Sequence, residues 1–235
     1  MLIKRIAICI WCFLFFCVVW LLQGRPYLDL PTQEAIYWLN NTAFGYNSIL
    51  AYCLFYPIPF FIFLNHLFLI YKPFAIVKWT TRSEFYNKII KEIVISAFLF
   101  SVLQMLVNIF LTSILLDVNI LIEENFFVIA FINMVTLIVY FTWIGILYRL
   151  FYDWNNSIGL AYFFAFILIG VLYFIGKLLI DGIWYPTNDL VVFQFLLEKK
   201  WFISNVTLVY LRQGIICLIL YLVASTVFFR KDIIN

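Results

Sequence analysis

The sequence predicts an all-α membrane protein: six transmembrane helices in a single domain, residues 1–235, with both ends in the cytoplasm. Three observations carry that reading. Of 235 residues, 66% are hydrophobic and only 11% charged, whereas a soluble domain carries about 25% charged residues to cover its water-facing surface. The apolar residues gather into six runs of roughly 20, the length that crosses a bilayer core as a helix. The basic residues are unevenly shared between the segments that link those runs. A soluble globular enzyme, a disordered chain and a disulfide-framed secreted domain are excluded. Helices are required because the runs lack the two-residue alternation of barrel strands, and lipid offers an open backbone amide no partner.

The first run, Ile6 to Gln23, follows Lys4 and Arg5. Leu21 to Pro26 lacks a small-x-small cleavage pattern, so the run reads as a retained span with its amino end inside. Gly24 to Asn47 reads as an outer surface loop, with a short helix after a Thr32 cap. The second run is about Ser48–Tyr71, where Pro57-x-Pro59 should bend or open the helix.

An inner segment follows, Lys72 to Glu92. Pro73 interrupts the preceding helix, and Thr80-Thr81 ahead of Glu84 can cap a new one. Arg82, Phe85, Tyr86, Ile89 and Ile90 then recur at helical spacing, with Lys88 and Lys91 on the wet side. The segment is either a short amphipathic helix on the cytoplasmic face or a solvated turn that fixes orientation.

The third and fourth runs are Ile93–Leu116 and Phe126–Tyr148. The inner loop between the fourth and fifth, Arg149 to Asn156, is short and aromatic. It reads either as an interfacial turn or as a partner contact through Asp153 and Trp154. The fifth run is Ile158–Ile180. In the outer segment Asp181 to Asn205, Pro186-Thr187-Asn188-Asp189 gives a break and a helix cap. Leu190 to Leu197 is apolar but too short to cross, so it should dip in and return or lie flat, bracketed by Trp184, Tyr185 and Trp201. Val206–Phe229 is the sixth run.

This topology places Lys4, Arg5, Lys72, Lys78, Arg82, Lys88, Lys91, Arg149, Arg230 and Lys231 inside, and Arg25, Lys199 and Lys200 outside. Ten against three satisfies the positive-inside rule.

Little in the chain carries catalytic chemistry. Gly170 to Lys177 resembles a phosphate-binding loop, but it has one residue too many between its glycines, and Leu178 stands where Ser or Thr should be. His66 is the single histidine, expected to face the bundle. The five cysteines lie within apolar runs without zinc spacing. No catalytic, cofactor or metal residue is assigned, and the net charge of +3 points to no nucleic acid.

Membrane polarity is more informative. Ser101, Gln104, Asn108 and Thr112 recur on one face of the third span, either as glue between helices or as the lining of a pathway, with Gln104 and Asn108 at its centre. Lys177 and Asp181 stand one turn apart and can pair near the outer end, and Arg212 lies just inside the sixth span beside Gln213. Lys177 and Arg212 either snorkel to the interface or form an outer gate with Asp181.

Six spans, an inner amphipathic segment between the second and third, and an outer re-entrant segment between the fifth and sixth resemble the permease subunits of bacterial type-two ABC exporters. Lys78-Trp79-Thr80-Thr81-Arg82-Ser83-Glu84-Phe85-Tyr86 is similar to the arginine-centred coupling segment of small permeases in peptide or bacteriocin export and immunity operons. Phe228-Phe229-Arg230-Lys231-Asp232 resembles their short basic tail. Only five residues precede Ile6, where many such permeases carry a longer amphipathic helix. The resemblance implies a subunit of the bacterial cytoplasmic membrane with a separate cytoplasmic ATPase that holds ATP and magnesium, a second permease chain, and an amphipathic peptide or lipid-like substrate. Lys78, Trp79, Arg82, Phe85, Tyr86, Asp153 and Trp154 would then face the ATPase. A stand-alone membrane immunity protein or channel is the alternative.

Overall fold

A computed structural model describes residues 2–41, 45–67, 81–178 and 184–230. Among them every regular element is helical. Five helices are long and apolar enough to cross a membrane: α1 (Leu2–Gly24), α4 (Arg82–Leu115), α6 (Phe126–Asn155), α7 (Ile158–Leu178) and α9 (Ile203–Arg230). Shorter helices lie between them: α2 (Thr32–Asn41), α3 (Pro57–Leu67), α5 (Val118–Glu123) and α8 (Val192–Leu197).

The second apolar run behaves differently from the other five. Its described part opens with a π-helical turn, Ala51–Phe55, before the 11 residues of α3. Pro57 explains the wide turn. In an α-helix its ring would collide with the carbonyl four residues back, and it has no N–H to donate. The chain opens by one residue just upstream, and the Tyr56 N–H donates to Ala51 O at 2.9 Å. Residues 68–71, the rest of that run, lie outside the described residues.

The third run also departs from expectation. The cap forms as its residues suggest, with the Glu84 N–H donating to Thr81 Oγ1 at 3.2 Å. From there one 34-residue helix runs unbroken to Leu115, so residues 82–92 form no separate amphipathic helix. Phe85, Tyr86 and Ile89, expected on a membrane-surface face, are buried. The end of α9 covers them, with Phe228 5.1 Å from the Tyr86 ring and 6.1 Å from Phe85.

Helix α6 is the hub, packed between α4, α7 and α9, while α1 leans on α3 and α4. Gly145 lets α4 and α6 approach closely, since a Cβ there would run into the Ile93 side chain. The centre is a stack of aromatic rings: Phe100 lies 5.0 Å from Phe16, 5.3 Å from Phe60 and 4.9 Å from Phe141. Edge-on and tilted contacts of this kind add to burial because each ring's positive edge meets a neighbour's negative face. The outward faces of α1 and α9 stay apolar, as at Leu14, Val18, Leu211, Ile215 and Leu218. Such faces suit lipid.

The segment 186–197 is helical, as its sequence suggests: a 3₁₀ stretch, Pro186–Val191, runs into α8. Leu190, Val192 and Phe193 are fully buried, Phe193 against Phe126 of α6 at 5.8 Å.

Candidate functional site

Two polar assemblies sit at the end of the bundle where α2 and α8 meet. The first is a buried chain of amides and phenols. Asn47, in the turn before the π-helix, is its hinge: Gln104 Nε2 of α4 and the Tyr52 hydroxyl both donate to its Oδ1, at 2.9 and 2.7 Å. Its Nδ2 donates to Asn40 Oδ1 of α2 at 2.6 Å. Asn133 Nδ2 of α6 donates to the Tyr52 hydroxyl at 2.9 Å, and the Tyr140 hydroxyl donates to Tyr52 O at 3.0 Å. Tyr46 donates to Gln104 O at 2.9 Å, and Tyr56 to Tyr46 O at 2.8 Å. Trp20 Nε1 of α1 donates to Asn108 Oδ1 at 3.1 Å.

The polar face read from the third span therefore turns inward, with Ser101, Gln104, Asn108 and Thr112 all buried. Asn108 bonds to α1 and Gln104 to the Asn47 turn, Thr112 Oγ1 donates to Asn108 one turn back, and Ser101 Oγ has no partner among the described residues. Gln104 Oε1, Asn133 Oδ1 and Asn108 Nδ2 have no hydrogen-bond partner among the described residues.

Asn40 and Asn47 also form part of the wall of a cavity of about 230 Å³. Ser48, Tyr173, Lys177 and Tyr185 line it too, with Ile49, Leu50 and Val191 as aliphatic wall and Gln194 beside them. Lys177 Nζ lies 5.8 Å from the Tyr173 ring centre, a distance at which the ring face attracts the cation. Gly176, next to Lys177 in α7, lets the Tyr185 ring lie close, since a Cβ there would overlap that ring.

The second assembly clamps the segment 186–197 to α9. Asp189 is fully buried and pairs with Arg212 Nη2. Trp184 Nε1 donates to the same oxygen at 3.1 Å, and Gln213 Nε2 donates to the other at 3.0 Å and to Pro186 O at 2.8 Å. Trp143 Nε1 of α6 donates to Gln213 Oε1 at 3.0 Å. The Arg212 guanidinium lies 5.1 Å from the Trp184 ring centre. The helix cap expected from Pro186-Thr187-Asn188-Asp189 does not form: Val191 precedes α8 with no side-chain cap bond. The carboxylate goes to the arginine instead because a buried charge is tolerated only when paired.

Around these assemblies runs a belt of ion pairs. Lys199 meets Glu124 at 3.2 Å and Lys200 meets Glu198 at 2.6 Å, while the Tyr37 hydroxyl donates to Glu198 Oε1 at 3.1 Å. The hydrogen bond to Glu198, and then their attraction, hold the Lys200 ammonium above its ordinary lysine pKa. That exposed contact stabilises the folded chain below the ordinary lysine pKa and is lost as pH rises through the raised one.

At the other end of the bundle, Arg149 of α6 donates two 2.7 Å hydrogen bonds to Asp153, one turn on. Both residues are buried, and the guanidinium lies 5.8 Å from the Phe228 ring centre. Asp153, anticipated as a surface contact, is thus turned inward, and Trp154 beside it is 69% exposed. Arg82 Nη1 donates to Phe229 O at 3.3 Å, tying the start of α4 to the end of α9. Lys78 and Trp79 lie outside the described residues, as does Asp181, expected to pair with Lys177. His66 is exposed, contrary to the expected bundle-facing position; Asn65 beside it accepts a 3.2 Å hydrogen bond from the Tyr148 hydroxyl instead.

Of the sequence-read candidates, Gln104 enters the amide chain, Lys177 the cavity beside it and Arg212 the clamp. Asn40, Asn47, Tyr52, Asn133, Trp143 and Asp189 were not singled out. A faint signal existed in Tyr52 and Tyr56, which share a helix face at a four-residue step. Comparison with family models, with curated proteins and with solved structures gives no match to the chain.

Proposed function

We propose that the chain is the membrane-spanning permease subunit of an ATP-driven exporter, moving an amphipathic peptide or lipid-like molecule across the bacterial cytoplasmic membrane. In this reading ATP and magnesium belong to a separate cytoplasmic subunit, and a second permease chain completes the route. The chain crosses six times with both ends inside, the second apolar run making the sixth crossing. The segment 186–197 enters the outer leaflet and returns.

The observation that carries the proposal is the unbroken helix α4. Its 34 residues extend about 50 Å, well beyond the roughly 30 Å hydrocarbon core. One end carries Arg82, Glu84 and Lys88, on the side that the basic count makes cytoplasmic. Further along, the same rod holds Gln104 and Asn108 in the polar core. A push on the charged end is delivered to that core without an intervening hinge. Phe85 and Tyr86 pass it to α9 as well, through Phe228. Coupling of this kind needs a rigid element biased by two sites, and α4 is built as one.

Purification of the full chain from its native membrane in mild detergent tests the reading. A co-purifying subunit with vanadate-sensitive ATP hydrolysis is expected. The double variant Trp79→Ala, Arg82→Glu should insert normally and lose that subunit, because removing one partner of a buried charged contact costs about 2–5 kcal/mol of association. A purified chain that protects its host with no ATP-hydrolysing partner establishes the stand-alone immunity reading instead.

A further inference from the structure

We propose that the cavity beside Lys177 binds the carboxylate end of a short apolar molecule. Among the described lining residues, Asn40, Asn47 and Ser48 have side-chain oxygens already engaged and donors to spare. Asn47 Oδ1 already accepts from Gln104 and Tyr52, and Asn40 Oδ1 accepts from Asn47. Each of these amides has a second N–H: Asn47 Nδ2 spends one on Asn40 and Asn40 Nδ2 one on Ile36 O, at 2.7 Å. Ser48 Oγ accepts from the Ala51 N–H at 3.1 Å, which leaves its own proton to give. A site built this way favours an acceptor-only group, and an ionised carboxylate is one.

The charge agrees. Lys199, Lys200 and Arg212 each hold a carboxylate of this chain. Lys177, on the cavity wall, makes no salt bridge among the described residues and has the Tyr173 ring as its contact. A lysine with no carboxylate partner among the described residues supplies the cation that a bound anion needs. Ile49, Leu50 and Val191 add an apolar wall for the carbon skeleton. The volume of about 230 Å³ is below the roughly 300–1,000 Å³ of pockets that enclose whole drug-sized ligands. It therefore takes one end group, such as the carboxyl terminus of an apolar peptide or a short fatty acid. Tyr185, pressed into place over Gly176, gives the site a defined wall.

This inference stands apart from the transport reading, because binding is measured on this chain alone. Calorimetric titration of the full-length protein in phosphatidylcholine nanodiscs uses four probes: hexanoate, N-acetyl-leucine, the uncharged N-acetylleucinamide, and hexylamine. At least one carboxylate should bind, and the amide and the amine should not. Which of the two carboxylates binds tells a fatty acid from a peptide terminus. Lys177→Gln should weaken binding by about tenfold or more, the usual worth of a charge-assisted contact. Lys177→Arg should largely restore it, Gly176→Ala should weaken it by displacing Tyr185, and Lys199→Gln should leave it unchanged. The wild-type comparison of carboxylate with amide needs no variant to fold. Equal binding of acid and amide, full binding by Lys177→Gln, or no binding of either carboxylate at about millimolar concentration overturns the proposal.

Discussion

Asp189 and Arg212 share an ion pair but not an environment: the aspartate side chain is 1% exposed and the arginine 29%. The cost of breaking the pair therefore depends on which partner is left behind. Arg212→Ala strands a carboxylate with no water to turn to, and should cost about 3–5 kcal/mol. Asp189→Asn keeps a hydrogen-bonding side chain and leaves the charge on the arginine, which reaches water, and should cost about 1–3 kcal/mol. Thermal unfolding in detergent measures both, and an asparagine variant as damaging as the arginine truncation would contradict the asymmetry. Neither residue is alone, since Trp184 and Gln213 bond the same carboxylate. Their costs will not add to those of Arg212.

The contact between α4 and α6 depends on a missing side chain. Adding a methyl at Gly145 drives it into Ile93, an overpacking that should cost about 1–3 kcal/mol. Ile93→Ala alone opens a void worth about 2–5 kcal/mol. Together they should cost clearly less than the sum, because the new methyl enters the space just vacated. Strictly additive changes in unfolding temperature would mean the helices have room to spare.

What could be read at this scale followed length and pattern. Five of the six apolar runs are long helices, and Thr81 and Glu84 form the expected cap. The continuity of residues 82–92 with the third span was not legible. Amphipathic spacing looks the same whether an apolar face meets lipid or, as here for Tyr86, Phe228 from 142 residues further along the chain.

Across the whole molecule, the basic residues predict opposite sides for the two ends of the bundle. Ser83→Cys and Lys200→Cys place thiols at exposed positions. A membrane-impermeant maleimide added to intact cells should label the second and spare the first until the cells are opened. Equal labelling from outside would sink the topology. The polar site was only partly visible from the sequence for a related reason. Gln104, Lys177 and Arg212 attract notice because charge and amides are expensive in lipid. Asn47 and Asp189 lie in connecting segments where polarity is ordinary, and only the fold brings them against the others.

The ring stack at the centre has an electrical meaning. Phe16, Phe60, Phe100 and Phe141 fill the middle of the bundle with hydrocarbon, and a hydrated ion crossing it would find no oxygen on those rings to replace its water. The protein should behave as an insulator, holding a voltage across the bilayer with no measurable leak. In the proposed exporter the substrate would keep to the periphery, along the outward apolar faces of α1 and α9, and the membrane would stay charged.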